Sequence, residues 1–191
     1  LITINLLGQL KSETLSNHQQ LEKNLIVKLK GMQSPEDYIS ILQNFYAYFG
    51  GLENQINHFI GADELSDYAE RRKTQSIKDD ILALEGVVPE KAAADDLPEI
   101  GNLLQAFGAL YVIEGSTLGG QVISKMISKQ LSMDGVEAVS FFKSYGEDTM
   151  TMWKKFKTVL EHHAATQEDA DVITGAANET FAKFRLWMER N

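Results

Sequence analysis

The sequence predicts an all-α, single-domain fold over residues 1–191, built from six to eight helices. Three observations carry this reading. Apolar residues recur at three- and four-residue spacing almost throughout. Strand signals, meaning alternation and hairpin dipeptides, are nearly absent. The three prolines, Pro35, Pro89 and Pro98, all fall where the helical pattern breaks. A chain of 191 residues suits one core, and at this size roughly 70% of the unfolded surface is buried on folding. With 43% hydrophobic and 24% charged residues the composition is globular, which excludes wholesale disorder or a fibrous repeat.

The first helix is expected from about Ile4 to Leu29, with a stripe of Leu7, Leu10, Thr14/Leu15, His18, Leu21 and Leu25. The second opens at Ser34-Pro35-Glu36-Asp37. Ser34 can cap it, Pro35 suits the first helical position, and the acids favour the positive helix end. Gly50-Gly51 invites a bend in it and Gly61 a stop. A third covers Leu65–Arg72 and, after a break, Ile77–Glu85, with Ser76 and Asp79 as caps. The fourth runs from about Glu99 to Leu131 and carries five glycines. A loop around Asp134-Gly135 and a short piece near Val139–Tyr145 follow. The fifth spans Thr149–Ala164, and the last begins at Thr166-Gln167-Glu168-Asp169, close to a capping box.

The chain contains no cysteine. That excludes a disulfide scaffold, a Cys zinc site, an iron–sulfur cluster and a Cys nucleophile, and it fits a reducing cytoplasm. Net charge is −9 and pI about 4.9, which argues against nucleic acid or an anionic membrane as partner. The stretch Gly61–Glu99 holds 11 acids and 5 bases, a net −6 that reads as solvated surface. No apolar run approaches the ~18–20 residues of a membrane span, and Leu1 to Leu7 carries no signal-peptide pattern.

His18 is the most informative histidine. It lies on the apolar stripe, so it is either a hydrogen-bonded core histidine or a metal ligand. Lys11 stands seven residues earlier on the same face, ~10.5 Å along a continuous helix. It is either a snorkelling surface lysine or a cation for the acidic edge of a flat ligand. In the fourth helix Gly101, Gly108, Gly115 and Gly119 share a face, with Gly120 beside them. Five glycines in a helix interior cost about 3–5 kcal/mol relative to Ala. Two readings offset that cost: a backbone face bared for a flat ligand, with a kink at Gly119-Gly120, or close helix–helix packing. His58, His162 and His163 read as solvent-facing. Lys154, Lys155 and Lys157 form a basic patch, either solvated surface or a dock for an acidic redox partner. Glu-x-x-His pairs, phosphate loops and nucleophile elbows are absent.

Asn17-His18-Gln19-Gln20-Leu21-Glu22, following Leu10-Lys11 and Glu13-Thr14, resembles the proximal helix of haem oxygenases. The segment from Tyr111 through Glu114-Gly115-Ser116-Thr117-Leu118-Gly119-Gly120 to Ile123 resembles their distal helix, in the form of the bacterial, bacteriophytochrome-associated branch. Arg71-Arg72-Lys73 leading to Asp80-Ile81-Leu82, Phe141-Phe142 to Tyr145-Gly146, and Ala177 to Trp187 agree in order.

The resemblance implies haem as both substrate and cofactor, held with His18 as axial ligand and the Gly115, Ser116, Gly119 and Gly120 segment over its other face. It implies opening of haem to biliverdin with release of iron and carbon monoxide, using O2 and electrons from an external donor such as a ferredoxin or a reductase. It also implies a place in a bacteriophytochrome pathway. Lys11 matches a position that pairs with a haem propionate, and Lys143 matches a second. In many relatives an Asp follows the first distal glycine and holds a water, whereas this chain has Ser116. That departure bears on the water network and on which meso carbon is attacked. A haem-binding or haem-sensing protein without oxygenase activity is one alternative. A haem-free bundle resembling thiaminase is another, against which the missing cysteine speaks.

Overall fold

The structure is a computed structural model and describes residues 4–132 and 137–191. The Asn5 side chain accepts from the Gly8 amide at 3.0 Å and opens α1 (Leu6–Glu13). The long first helix expected from sequence is divided at Thr14. Its hydroxyl turns back onto the Leu10 carbonyl at 2.7 Å, a local bond that competes with a straight helix, and α2 (Leu15–Gly31) follows. α3 (Pro35–Ile56) starts as its sequence dictates. Ser34 Oγ accepts from the Asp37 amide, and the Asp37 carboxylate accepts from the Ser34 and Gln33 amides. This helix ends at Ile56, before Gly61, and runs unbroken through Gly50-Gly51. Those glycines serve close approach instead. The Lys91 stem lies over Gly50, and Leu97 with the Ala92 carbonyl lies over Gly51.

Leu65–Arg72 does not form the expected helix; only Tyr68–Glu70 makes a 3₁₀ turn. α4 covers Gln75–Ala83. Neither Ser76 nor Asp79 caps it. The Glu53 carboxylate does the work from α3, accepting from the Thr74 amide at 2.9 Å and the Thr74 hydroxyl at 3.2 Å. The predicted helix over Glu99–Leu131 resolves into three pieces. α5 (Leu103–Gly115) is capped by the Asn102 side chain, a 3₁₀ turn covers Ser116–Gly119, and α6 (Gly120–Gln130) continues. Asp134-Gly135 lies outside the described residues. The short α7 (Ser140–Lys143), α8 (Thr149–His163) and α9 (Gln167–Arg190) complete the chain. α9 opens with the expected capping box, Thr166 and Asp169 exchanging bonds.

α9 is the central helix and packs on α5, α2 and α1. Gly108 makes the α5 contact possible, because a Cβ there would strike the Ile173 carbonyl and lie 2.7 Å from Ala176 Cβ. Beside it an aromatic cluster of Phe45, Tyr48, Phe49, Phe141, Phe142 and Phe184 fills the core, with Tyr48 stacked on Phe184 at 4.6 Å. Each such ring contributes roughly 1.5–3 kcal/mol by burial. The buried hydroxyls of Tyr38 and Tyr48 donate to the Ala138 and Thr180 carbonyls, so neither is left unsatisfied. α1 and α2 bury Leu6, Leu10, Leu21 and Leu29 in this core and add exposed or half-exposed polar bridges to α9: Gln9 to Asp171, Asn17 to Asn178 and Asn24 to Glu189. Among the described residues no helix is long and apolar enough to cross a membrane.

Candidate active site

α2 buries only Leu21 and Leu29, so its remaining face is open. His18 lies on that open face and is exposed. This corrects its placement on a core stripe and removes the reading of a satisfied core histidine. Its ring stacks on Phe181 of α9, centroids 5.0 Å apart and planes at 22°. Phe181 is 8% exposed, so the imidazole rests on a fixed platform. Leu15, one turn earlier, is 45% exposed. Lys11 is exposed in the last turn of α1. The division at Thr14 puts Lys11 and His18 on two helices, so the continuous-helix spacing does not apply.

α6, which continues from the distal segment, packs on α2, and Gln130 Nε2 donates to the Lys30 carbonyl at 2.6 Å. Here the glycines separate into two groups. A Cβ at Gly119 would meet nothing within 4 Å, and one at Gly115 would meet only the Trp153 ring, at 3.7 Å. Gly108 and Gly120 are packed instead. A Cβ at Gly120 would strike the Phe142 carbonyl of α7. Gly101 precedes the helix. Close packing accounts for Gly108 and Gly120, whereas Gly115 and Gly119 have room for a Cβ. Leu118 and Val122 are 42% and 64% exposed beside the open glycines.

Behind the distal segment lies a polar network that sequence reasoning did not single out. Arg71 Nη1 donates to the Glu114 carboxylate at 2.7 Å, and its Nε and Nη2 donate to Asp67 at 2.8 Å each. Burial alone would push the Arg71 guanidinium down, but Asp67 and Glu114 hold it above its ordinary value. The Tyr145 hydroxyl donates to Glu114 at 3.0 Å and accepts from the Arg72 amide at 2.9 Å. Burial, then the Glu114 charge, pushes that phenol up. Arg72 Nη2 donates to the Ile113 carbonyl at 2.9 Å and to Ser116 Oγ at 2.5 Å. Its Nη1 donates to the Phe141 carbonyl at 3.1 Å and Ser144 Oγ at 3.3 Å. Burial pushes the Arg72 guanidinium down to about 10, still cationic at neutral pH. Ser116 Oγ in turn donates to the Ile113 carbonyl at 2.6 Å. The signal for this network was present in the sequence as three successive cations, Arg71-Arg72-Lys73, within the most acidic stretch.

Lys143 is placed apart from this network, on α7. It pairs with Glu137 at 3.0 Å, with the two side chains 53% and 84% exposed; such a pair is worth little and exchanges readily. His162 and His58 are exposed as expected. His163 is not. Its ring lies 4.3 Å from that of Phe107, tilted by 30°, and the residue is half-buried.

A haem offers a flat apolar sheet, an acidic edge and a central metal. The residues present fit it. An exposed imidazole on an aromatic platform suits the metal, exposed Leu118 and Val122 with bare backbone at Gly115 and Gly119 suit the flat sheet, and Lys11 suits the edge. Three solved structures have the same all-helical fold. The NO- and CO-bound heme oxygenase of Neisseria meningitidis aligns with a TM-score of 0.79 at 21% identity, covering 98% of this chain and 92% of that one. The heme oxygenase of Leptospira interrogans gives 0.76 at 16% identity, covering 98% and 100%. Heme oxygenase-1 of the cyanobacterium Synechocystis sp. PCC6803, in complex with heme, gives 0.72 at 20%, covering 98% and 92%. These likenesses define the class of fold, the all-helical bundle of the heme oxygenase structures. A family model described as heme oxygenase matches residues 4–190. Heme oxygenase of Xanthomonas campestris pv. campestris (strain 8004) is 29% identical over 161 residues, 81% of this chain and 90% of that protein. The chain belongs to the heme oxygenase family.

Proposed function

We propose that this enzyme opens haem to biliverdin with release of iron and carbon monoxide, using O2 and electrons from an external donor. The observation that carries the reading is the exposed His18 imidazole seated on Phe181, with the open backbone at Gly119 as a second support. Bound haem supplies both the iron at which O2 is activated and the carbon skeleton that is cut. His18 would hold the haem iron through its neutral imidazole. Lys11 meets a propionate, and Lys143 a second one once it exchanges Glu137. Gly115 and Gly119 bring main chain close over the other face. There they exclude bulk water and leave room for ordered water to carry protons. Ser116 acts from behind that backbone, and Gly120 seats the segment on α7. In this role Ser116 takes no place in the water network that the family's acid serves.

The donor we propose is an acidic ferredoxin or a reductase docking on Lys154, Lys155 and Lys157, three cations on a chain of net charge −9. The enzyme serves a bacteriophytochrome pathway in the cytoplasm, a placement supported by the distal sequence and by the absence of cysteine from the chain. Haem titration, followed by ferredoxin-driven turnover and chromatography of the pigment, tests the reading. Biliverdin with one equivalent of carbon monoxide is the expected result. Haem bound through His18 with no pigment formed favours a haem-binding or haem-sensing role instead.

A further inference from the structure

We infer that Arg72 is a positioning residue for the distal backbone, acting through Ser116 and the Ile113 carbonyl to fix where Gly115 and Gly119 stand over the substrate. This rests on the haem site proposed above. The argument starts from the change of helix type. α5 ends at Gly115 and the chain tightens into a 3₁₀ turn over Ser116–Gly119. Such a change shifts the hydrogen-bond partners of the carbonyls at the joint, and a free carbonyl there needs a donor. Ile113 O receives two, from Arg72 Nη2 and from Ser116 Oγ. The same guanidinium nitrogen also donates to Ser116 Oγ, closing a three-membered link between Arg72, Ser116 and Ile113.

The other half of the fork reaches α7. Arg72 Nη1 takes the Phe141 carbonyl and Ser144 Oγ, and the guanidinium lies 3.9 Å from the Phe141 ring centroid. Ser144 Oγ also reaches the Thr117 carbonyl, inside the 3₁₀ turn, at 3.3 Å. Ser144 holds φ +54° and ψ −116°, a backbone conformation that a residue with a side chain rarely adopts. Strain of that kind persists only where surrounding bonds over-determine it. Gly120 closes the contact by backing directly onto the Phe142 carbonyl. One planar cation thus ties two carbonyls and two hydroxyls from two segments. A lysine ammonium cannot reproduce that fork. The Arg72 main chain is itself fixed by the Tyr145 hydroxyl, which is bound to Glu114 in the residue before Gly115.

The test uses Arg72→Gln, Arg72→Lys and Ser116→Ala in the full chain, with two readouts. In the haem-free protein, amide exchange at Thr117, Leu118 and Gly119 is expected to speed up by about tenfold or more in Arg72→Gln, the equivalent of one charge-assisted hydrogen bond. Exchange at Ile173 and Ala177 of α9 should not change. In the haem-loaded protein, the C–O stretch of the carbon monoxide complex is expected to shift and broaden. The biliverdin isomer ratio should spread while haem affinity stays within about twofold. Arg72→Lys should fall between wild type and Arg72→Gln. Ser116→Ala should give the same changes more weakly, and it serves if Arg72→Gln does not fold. An unchanged exchange rate in both variants, or an unchanged C–O band and isomer ratio, overturns the inference. Wild-type protein that binds haem without making biliverdin overturns the proposed function instead, and the exchange readout still decides the role of Arg72.

Discussion

Arg71 and Glu114 meet at 2.7 Å with both side chains 1% exposed. The pair joins the segment after α3 to the last turn of α5, directly before the open glycines. Asp67 and Tyr145 satisfy the remaining atoms on either side.

Removing one member leaves an uncompensated charge in the interior. Arg71→Met is expected to lower stability by about 3–5 kcal/mol, read from urea unfolding midpoints. Arg71→Met combined with Glu114→Leu should recover much of that loss, because a buried pair is worth little against apolar packing of similar volume. A single-variant loss below about 1 kcal/mol would show that water reaches the pair.

The two classes of glycine make opposite predictions. Gly108→Ala and Gly120→Ala drive a methyl into the Ile173 and Phe142 carbonyls and should each cost about 1–3 kcal/mol of stability. Gly119 has φ −85° and open space around it, so Gly119→Ala should fold at least as well as wild type. Gly119→Leu should also fold, with a melting temperature near wild type, yet fail to turn haem over. Full turnover by Gly119→Leu would rule out a close distal backbone.

His18→Ala removes an exposed ring whose contact with Phe181 is worth about 0.5–1.5 kcal/mol. The melting temperature should therefore move little. The haem Soret band should lose its histidine-ligated form and regain it on addition of free imidazole. A wild-type spectrum in His18→Ala would assign the iron to another ligand.

Asp37 gives a pH prediction. The Gln33 amide, and then the Ser34 amide and hydroxyl, outweigh a smaller effect of burial and hold its carboxyl below the ordinary 3.8. A carboxyl depressed on folding contributes stability above its unfolded value and loses it as pH falls through the folded one. Asp37→Asn should therefore melt earlier than wild type at pH 7. The difference should shrink in melts taken progressively below pH 4. A difference that stays constant into acid would mean the carboxylate charge plays no part in the cap.

Local signals were legible where local physics decides. Ser34-Pro35 and Thr166 through Asp169 specify the starts of α3 and α9 without help from the rest of the chain. Sequence reading failed where a distant residue decides. Leu65–Arg72 has a helical pattern, yet Arg71 is extended at φ −75° and ψ 150°, since its guanidinium must reach Glu114. The break at Thr14, whose hydroxyl bonds the Leu10 carbonyl, carries no glycine or proline that would mark it in the sequence. At the site, His18 and the glycines were found from spacing, but spacing alone does not say which way a helix turns. Spacing therefore assigns His18 to the core stripe and does not separate Gly115 and Gly119 from Gly108 and Gly120. Arg72 carried no spacing signal, because all its partners lie 41 or more residues away in sequence.

The bridges that attach α2 to α9 differ in kind from the bonds behind Gly115. Asn17 to Asn178 and Asn24 to Glu189 compete with solvent at every moment, whereas Arg71 and Glu114 do not. The network behind Gly115 is therefore the stiffer of the two attachments, and the polar ties of α2 are the ones that open first.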